Sequence, residues 1–222
     1  MRNIKYSLNI GDLSQYLKRQ VDFLYPDKTF VKLSFLNECV GLALERIKVC
    51  FDPIIERYYF KENNSIFNHL HGDHYATFLY FVSNNAFKLE NISLATKVHL
   101  LNKALFGIDL FYDVELPDHF MLSHPIGTVL GRAKYSDFFL VHQQATVGGT
   151  NDLLYPSFEG SAILFSNSSV IGNCKIGKGF ILAANASIIN LNIEKNQTVM
   201  GTYPTIRKIT SKKETIKDYW DI

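Results

Sequence analysis

Two hydrophobic rhythms divide this chain. In the first half, apolar residues recur three and four apart, the spacing of a helix with one buried face. Residues 12–24 set Leu13, Tyr16, Leu17 and Leu24 at that spacing before Pro26. Residues 34–51 predict a longer amphipathic helix that ends near Pro53. Residues 73–86 are rich in aromatics and predict a buried helix. Residues 91–106 predict a fourth, opened by a capping Asn91 or Ser93 and stopped at Gly107. Residues 1–106 therefore read as a helical domain.

From about residue 108 a beat of six takes over. It runs through Leu110, Leu116 and Leu122, then Val129, Tyr135, Val141 and Val147, then Leu164, Val170, Ile176, Leu182 and Ile188. Neither a strand nor a helix produces so long a period. A coil with flat sides does, with one bulky residue per side pointing inward. The beat predicts a β-helix of hexapeptide repeats over 107–207, in four to five coils of about eighteen residues. Gly and Asn fall at the expected corners, as in Ser166-Asn167, Gly172-Asn173 and Ala184-Asn185, because tight corners call for positive φ. One extra residue is expected between Leu122 and Val129. A loop interrupts the beat at 149–157, and Phe158 restarts it. Residues 208–222 read as a polar tail.

Composition changes this picture little. The 222 residues are 47% hydrophobic and carry a formal charge of +2. Nothing in that charge suggests nucleic acid or a membrane surface as partner. Three scattered cysteines show neither metal spacing nor a disulfide framework, which fits a reduced, cytoplasmic setting. The first twenty residues carry charges throughout and are not expected to act as a signal peptide, and no apolar run is long enough to span a bilayer.

Several motifs carry a family resemblance. They are Gly107-Ile-Asp-Leu110, Met121-Leu-Ser-His124, Gly127–Gly131 (GTVLG), Thr146-Val-Gly-Gly-Thr150, Val170-Ile-Gly-Asn173, Ile176-Gly-Lys-Gly179, and Gly201 with Pro204. In order and in most spacings, the stretch 107–204 resembles the serine acetyltransferase branch of the hexapeptide acyltransferases. The resemblance implies a left-handed parallel β-helix and acetyl-CoA as acyl donor. It places His124 as general base and Asp109 as the carboxylate that orients it. Such a base accepts the acceptor's proton during attack on the thioester, and a carboxylate on the other ring nitrogen fixes the tautomer. Gly148 and Gly149 are candidates for the oxyanion and cofactor, with Ser166 and Ala184 lining the rest of the acetyl-CoA groove. No metal is expected.

The acceptor side departs from that family. Ser123 stands where an Asp is usual, and Leu154-Tyr155 replaces the Arg-His of an Arg-His-Pro run. Leucine cannot grip a carboxylate as arginine does. These departures lead to an expected O- or N-acetylation of an acceptor other than serine, such as a sugar or sugar nucleotide of surface polysaccharide synthesis, with Tyr155 and Ser123 in the acceptor site. The alternatives are serine O-acetyltransferase itself and a catalytically silent scaffold.

The run from His69 to His74 (HLHGDH) reads as helix-start chemistry, as an acceptor contact through His71 or Asp73, or as a metal cluster, although its spacing is not that of a helical zinc motif. His99, His119 and His142 read as structural. The resemblance also implies a homotrimer or dimer of trimers, and docking of the terminal Ile222 into a sulfhydrylase.

Overall fold

The computed structural model describes residues 2–29, 31–211 and 215–222. The chain divides into two compact units, Met1–Asp113 and Val114–Ile222. The first holds β1 (Asn3–Tyr6), α1 (Ile10–Leu24), α2 (Leu33–Phe51), β2 (Phe60–Lys61), β3 (Asn64–Phe67), α3 (Gly72–Lys88), α4 (Ile92–Phe106) and β4 (Asp109–Leu110).

The four helices lie where the periodicity predicts. The Asn9 side chain caps α1 by accepting from the Asp12 N–H, and Asn91 caps α4 by accepting from Leu94. Gly107 ends α4 in the left-handed conformation, at φ 64°, and its N–H reaches the Lys103 carbonyl. Every residue of α3 from His74 to Ala86 is buried, so this helix is the centre of the unit. Two of its buried amides reach backbone carbonyls: Asn84 Nδ2 donates to that of Tyr112 at 2.8 Å and Asn85 Nδ2 to that of Cys39 at 3.2 Å. A three-stranded sheet, β1-β3-β2, was not expected. Its strands are two to four residues long, too short to show a period of two.

The second unit contains β5 (Phe120–Ser123), β6 (Val129–Leu130), β7 (Phe139–His142), β8 (Thr146–Gly148), β9 (Ser157–Phe158), β10 (Ala162–Leu164), β11 (Ser169–Ile171), β12 (Lys175–Ile176), β13 (Phe180–Leu182), β14 (Ser187–Ile189), β15 (Gln197–Thr202) and β16 (Thr205–Thr210). They wind into a three-sided parallel solenoid. On the first side Leu122, Val141, Leu164, Leu182 and Val199 are in register. On the second, Leu130, Val147, Val170 and Ile188 align. On the third, Phe158, Ile176 and Ile193 align, and the Tyr135 ring stacks on Phe158. These inward residues fill the core, each stabilising the unit by roughly 1.5–3 kcal/mol through burial.

Register corrects the beat at one point. Val129 is 38% exposed and Leu130 1% exposed, so Leu130 is the inward residue. The interval after Leu122 holds two extra residues rather than one, and the next side is one short, which restores the phase at Tyr135. Two adjacent apolar residues look alike to a period count. Only the pairing of Leu130 with Val147 separates them.

The tail is also more structured than a polar segment. Lys208 to Thr210 belong to β16, which folds back antiparallel on β15. A single 3-10 turn at Thr215–Asp218 then brings Trp220 to 1% exposure, edge-on to Phe138 at 5.9 Å.

Candidate functional site

The corner between the first and second sides collects the unusual chemistry of the second unit. Each coil leaves its first side through residues that stack on those of the next coil. Two positions past the inward residues, Gln143, Ser166 and Ala184 form one column. In the first coil Ile126 takes that place, its carbonyl accepting from Gln144 N at 2.9 Å, and His124 lies two residues earlier, in the pair this coil inserts after Ser123. One position past, Ser123, His142 and Phe165 form a neighbouring column. Backbone bonds tie the coils there: Asn167 N donates to the Gln143 carbonyl and Asn185 N to that of Ser166, both at 3.0 Å.

His124 lies in the inserted pair just before this corner. It has φ 50°, the left-handed region that a β-carbon disfavours, and its carbonyl accepts from Ile126 N at 2.7 Å. The left-handed position that recurs from coil to coil is Gly127, Gln144, Asn167 and Asn185, at φ 73°, 59°, 59° and 60°, so the left-handed turn at His124 is an additional one. Asparagine tolerates this conformation, whereas a histidine there is uncommon, and such outliers gather at functional sites. The His124 side chain is exposed, and Ser123 beside it is half-buried.

His142 lies directly across from Ser123 on the paired strand. Its ring stacks on Phe165 at 5.1 Å with 21° between planes. Burial lowers its pKa, with the charge of His124 a second cause. Its Nε2 is sealed from solvent without a hydrogen-bond partner, as is Oε1 of Gln143.

The next corner, between the second and third sides, carries the interrupting loop. Gly148 ends β8, and a β-carbon there would touch only Ile171 at 3.7 Å. Gly149 differs. A β-carbon on it would come within 2.6 Å of the Tyr155 ring, so its bare backbone makes room for that tyrosine. Leu153 and Leu154 are exposed. Within one chain, then, Ser123, His124, Ser166 and Ala184 share one edge, while Gly148, Gly149 and Tyr155 share the next. Gly149, expected as an open cofactor contact, is occupied in this chain by Tyr155.

Three candidates belong to the first unit. The Asp109 carboxylate accepts from Lys103 Nζ at 2.6 Å and lies 3.8 Å from His99 Nε2. His99 is buried, with Nδ1 at 3.0 Å from the Leu110 carbonyl. His71 is the residue that begins α3, and Asp73 lies in its first turn, where a carboxylate favours the helix dipole. The His71 and His74 rings are 4.2 Å apart. His74 is buried, which drives its pKa down to about 3, and its Nδ1 accepts from Asn68 N at 3.1 Å. The proton of this neutral ring therefore sits on Nε2, leaving no lone pair there for a metal. Among the described residues, no group of three His, Cys, Asp or Glu side chains is arranged to hold a metal ion.

A separate cavity of about 870 Å³ lies under the tail, lined by Ile163, Lys178, Ile181, Ile216 and Ile222 among others. None of the catalytic, acceptor or cofactor candidates lines it. Among the described residues no helix is long and apolar enough to cross a membrane.

No protein-family model and no curated protein matches this sequence. Solved structures do match the fold. The serine acetyltransferase of Neisseria gonorrhoeae aligns with a TM-score of 0.70 at 17% identity, over 95% of this chain and 83% of that one. The enzyme of Brucella abortus strain S19 aligns at 0.67 and 18%, over 89% and 83%. A serine acetyltransferase in complex with CoA aligns at 0.67 and 18%, over 91% and 86%. The fold is that of the serine acetyltransferases. The β-helix is accordingly left-handed, of about five turns, and accompanies a helical unit, as the sequence resemblance implies. At such identities a serine acetyltransferase fold speaks for architecture and leaves the chemistry to the site residues.

The sequence alone marks His142 as a packing residue and does not single out Gln143. A polar pair following the inward Val141 is the available signal, but its meaning depends on which coil it stacks against.

Proposed function

We propose that this protein is an acetyl-CoA-dependent acyltransferase that uses His124 as general base toward an acceptor hydroxyl. The edge that carries His124 in the first coil and the column of Gln143, Ser166 and Ala184 in the next three carries the reading. Coils stack about 4.8 Å apart, so this edge is a track of roughly 14 Å with the base at one end and small side chains at the other. A long, thin acyl carrier fits such a track, with its thioester at the imidazole. The His124 ring takes the hydroxyl proton as the oxygen attacks the acetyl carbon, and the thiol of CoA leaves with a proton. Asp109 enters from the sequence resemblance as the carboxylate that serves the imidazole. Gly148 N–H is a candidate for the oxyanion.

L-serine is the acceptor this reading takes first. The fold neighbours are serine acetyltransferases, including complexes with CoA and with cysteine. The expectation of a sugar acceptor finds no support among them. It rests only on Ser123 and on the Leu154-Tyr155 wall, which lacks the cation expected to hold a carboxylate.

Acetyl-CoA, L-serine and a sugar panel, followed by thiol release, decide between the acceptors. Release with serine above background supports serine O-acetylation. Release with sugars alone supports the second reading, and none with any acceptor supports a silent scaffold. Trimer formation, which brings the Tyr155 edge of one chain to the His124 edge of another, belongs to the same proposal and is read by solution mass. Docking of Ile222 to a sulfhydrylase is tested by pull-down with and without that residue. His71 and Asp73 stay as proposed acceptor contacts, tested by acceptor KM in His71→Ala and Asp73→Asn.

A further inference from the structure

Buried polar atoms without partners are rare in folded proteins, and each asks for an explanation, often an absent water or ligand. Two of them fall on consecutive residues at the His124 corner: Nε2 of His142 and Oε1 of Gln143. Their places in the solenoid are set by register. His142 stands one coil from Ser123, directly across from it, and Gln143 follows it at the corner, one coil from Ile126. Strands in register lie about 4.8 Å apart with side chains parallel, so His142 is the immediate neighbour of Ser123, the residue before the proposed base, and it lies near enough to His124 to feel its charge. The position of His142 is fixed from several directions. Its ring rests on Phe165, and its carbonyl accepts from the buried Thr128 hydroxyl at 3.0 Å. A rigid ring with a dry, unpaired nitrogen beside a reactive imidazole is poised for recognition.

We infer that His142 is a specificity-determining residue of the acceptor site. With Gln143 it binds a second hydroxyl or amino group on the acceptor, distinct from the hydroxyl that is acetylated. This rests on the acyl-transfer reading above. Gln143 Oε1 only accepts, so the group bound must carry a proton to donate. An O–H or N–H group donates to Gln143 and meets His142 Nε2 with its remaining capacity. The α-amino group of serine and a neighbouring hydroxyl on a sugar share this chemistry. The groups facing His142 from the packed coils are those of Ser123, His124 and Phe165, and none is anionic. At this position recognition therefore rests on hydrogen bonding.

The test compares matched acceptors. L-serine is set against 3-hydroxypropionate, which lacks the amino group, and a hexose against its monodeoxy analogue. Wild-type protein is expected to prefer the member that keeps the second polar group. His142→Phe retains the stack on Phe165 and removes Nε2, so the preference is expected to fall by about tenfold, the effect of one buried hydrogen bond. The KM for acetyl-CoA and the melting temperature stay near wild type, and His142→Gln restores part of the preference. Equal discrimination in wild type and His142→Phe overturns the inference. Nitrogen-15 spectra of the histidine rings under acceptor titration read binding apart from turnover. A His142 signal that moves with serine or hexose supports the role even if no thiol is released, an outcome that defeats acyl transfer instead. A His142 signal that does not move at saturating acceptor overturns the role.

Discussion

His124 combines two demands that pull in different directions. The turn asks for a residue at ease with positive φ, and the chemistry asks for an imidazole. Asparagine satisfies the first and not the second, so His124→Asn separates them. We expect this variant to melt within a few degrees of wild type, yet to lose about 10²–10⁴-fold in acyl-transfer rate with acetyl-CoA binding retained. Wild-type turnover in His124→Asn would remove His124 from the mechanism. The same resolution of roles applies at 129 and 130. Leu130→Ala opens a cavity in the first coil and should cost about 2–5 kcal/mol, whereas Val129→Ala, on the outer face, should cost under about 1 kcal/mol. Denaturant unfolding of both variants checks the register, and equal losses would contradict it. At this scale the sequence showed the chemistry of His124 through its neighbours in order along the chain. It concealed that of His142, whose meaning comes from Ser123, nineteen positions earlier, lying across from it.

Elements here are closed by single tethers whose strength depends on context. In the helical unit Lys97 of α4 is buried and donates to Asp27 Oδ1 at 2.6 Å and to Thr29 Oγ1 at 2.7 Å. The bond from Lys97, then those from Thr29, hold the Asp27 carboxyl down at about 2, below its usual value near 3.8. A depressed folded-state pKa means that this contribution is complete above the unfolded value and is lost as pH falls from about 4 through 2. Acid unfolding of Asp27→Asn should therefore show a shallower loss of stability across that window than wild type, as followed by circular dichroism. In the solenoid, Gly172 turns the second corner at φ 79°, and a β-carbon on it would collide with Asn190 Oδ1. Gly172→Ala should lower the melting temperature by several degrees, since both the conformation and the packing exclude it. Helix limits were legible because Asn91 and Gly107 punctuate α4. The small sheet of the first unit was not, because Asn3–Tyr6 and Asn64–Phe67 become strands only by pairing with each other.

At the scale of each folded unit, the solenoid ends in a closure that the beat of six does not contain. β16 caps β15, and Trp220 packs on Phe138 with its indole N–H buried and unpartnered. Trp220→Ala should destabilise the second unit by about 3–5 kcal/mol, measured as earlier loss of its unfolding transition. An unchanged transition would mean that the tail is not part of that unit. What the sequence by itself determined is the kind of architecture. Helical spacing in one half and a period of six in the other are properties of neighbouring residues, and each period admits one way of burying its apolar side chains. The tertiary structure decided everything that depends on which coil lies against which. Register chose Leu130 over Val129, set His142 across from Ser123, and put Tyr155 into the space left by Gly149. Those choices come from contacts about 5 Å apart in space but a whole coil apart in sequence, and a one-dimensional pattern carries no measure of that distance.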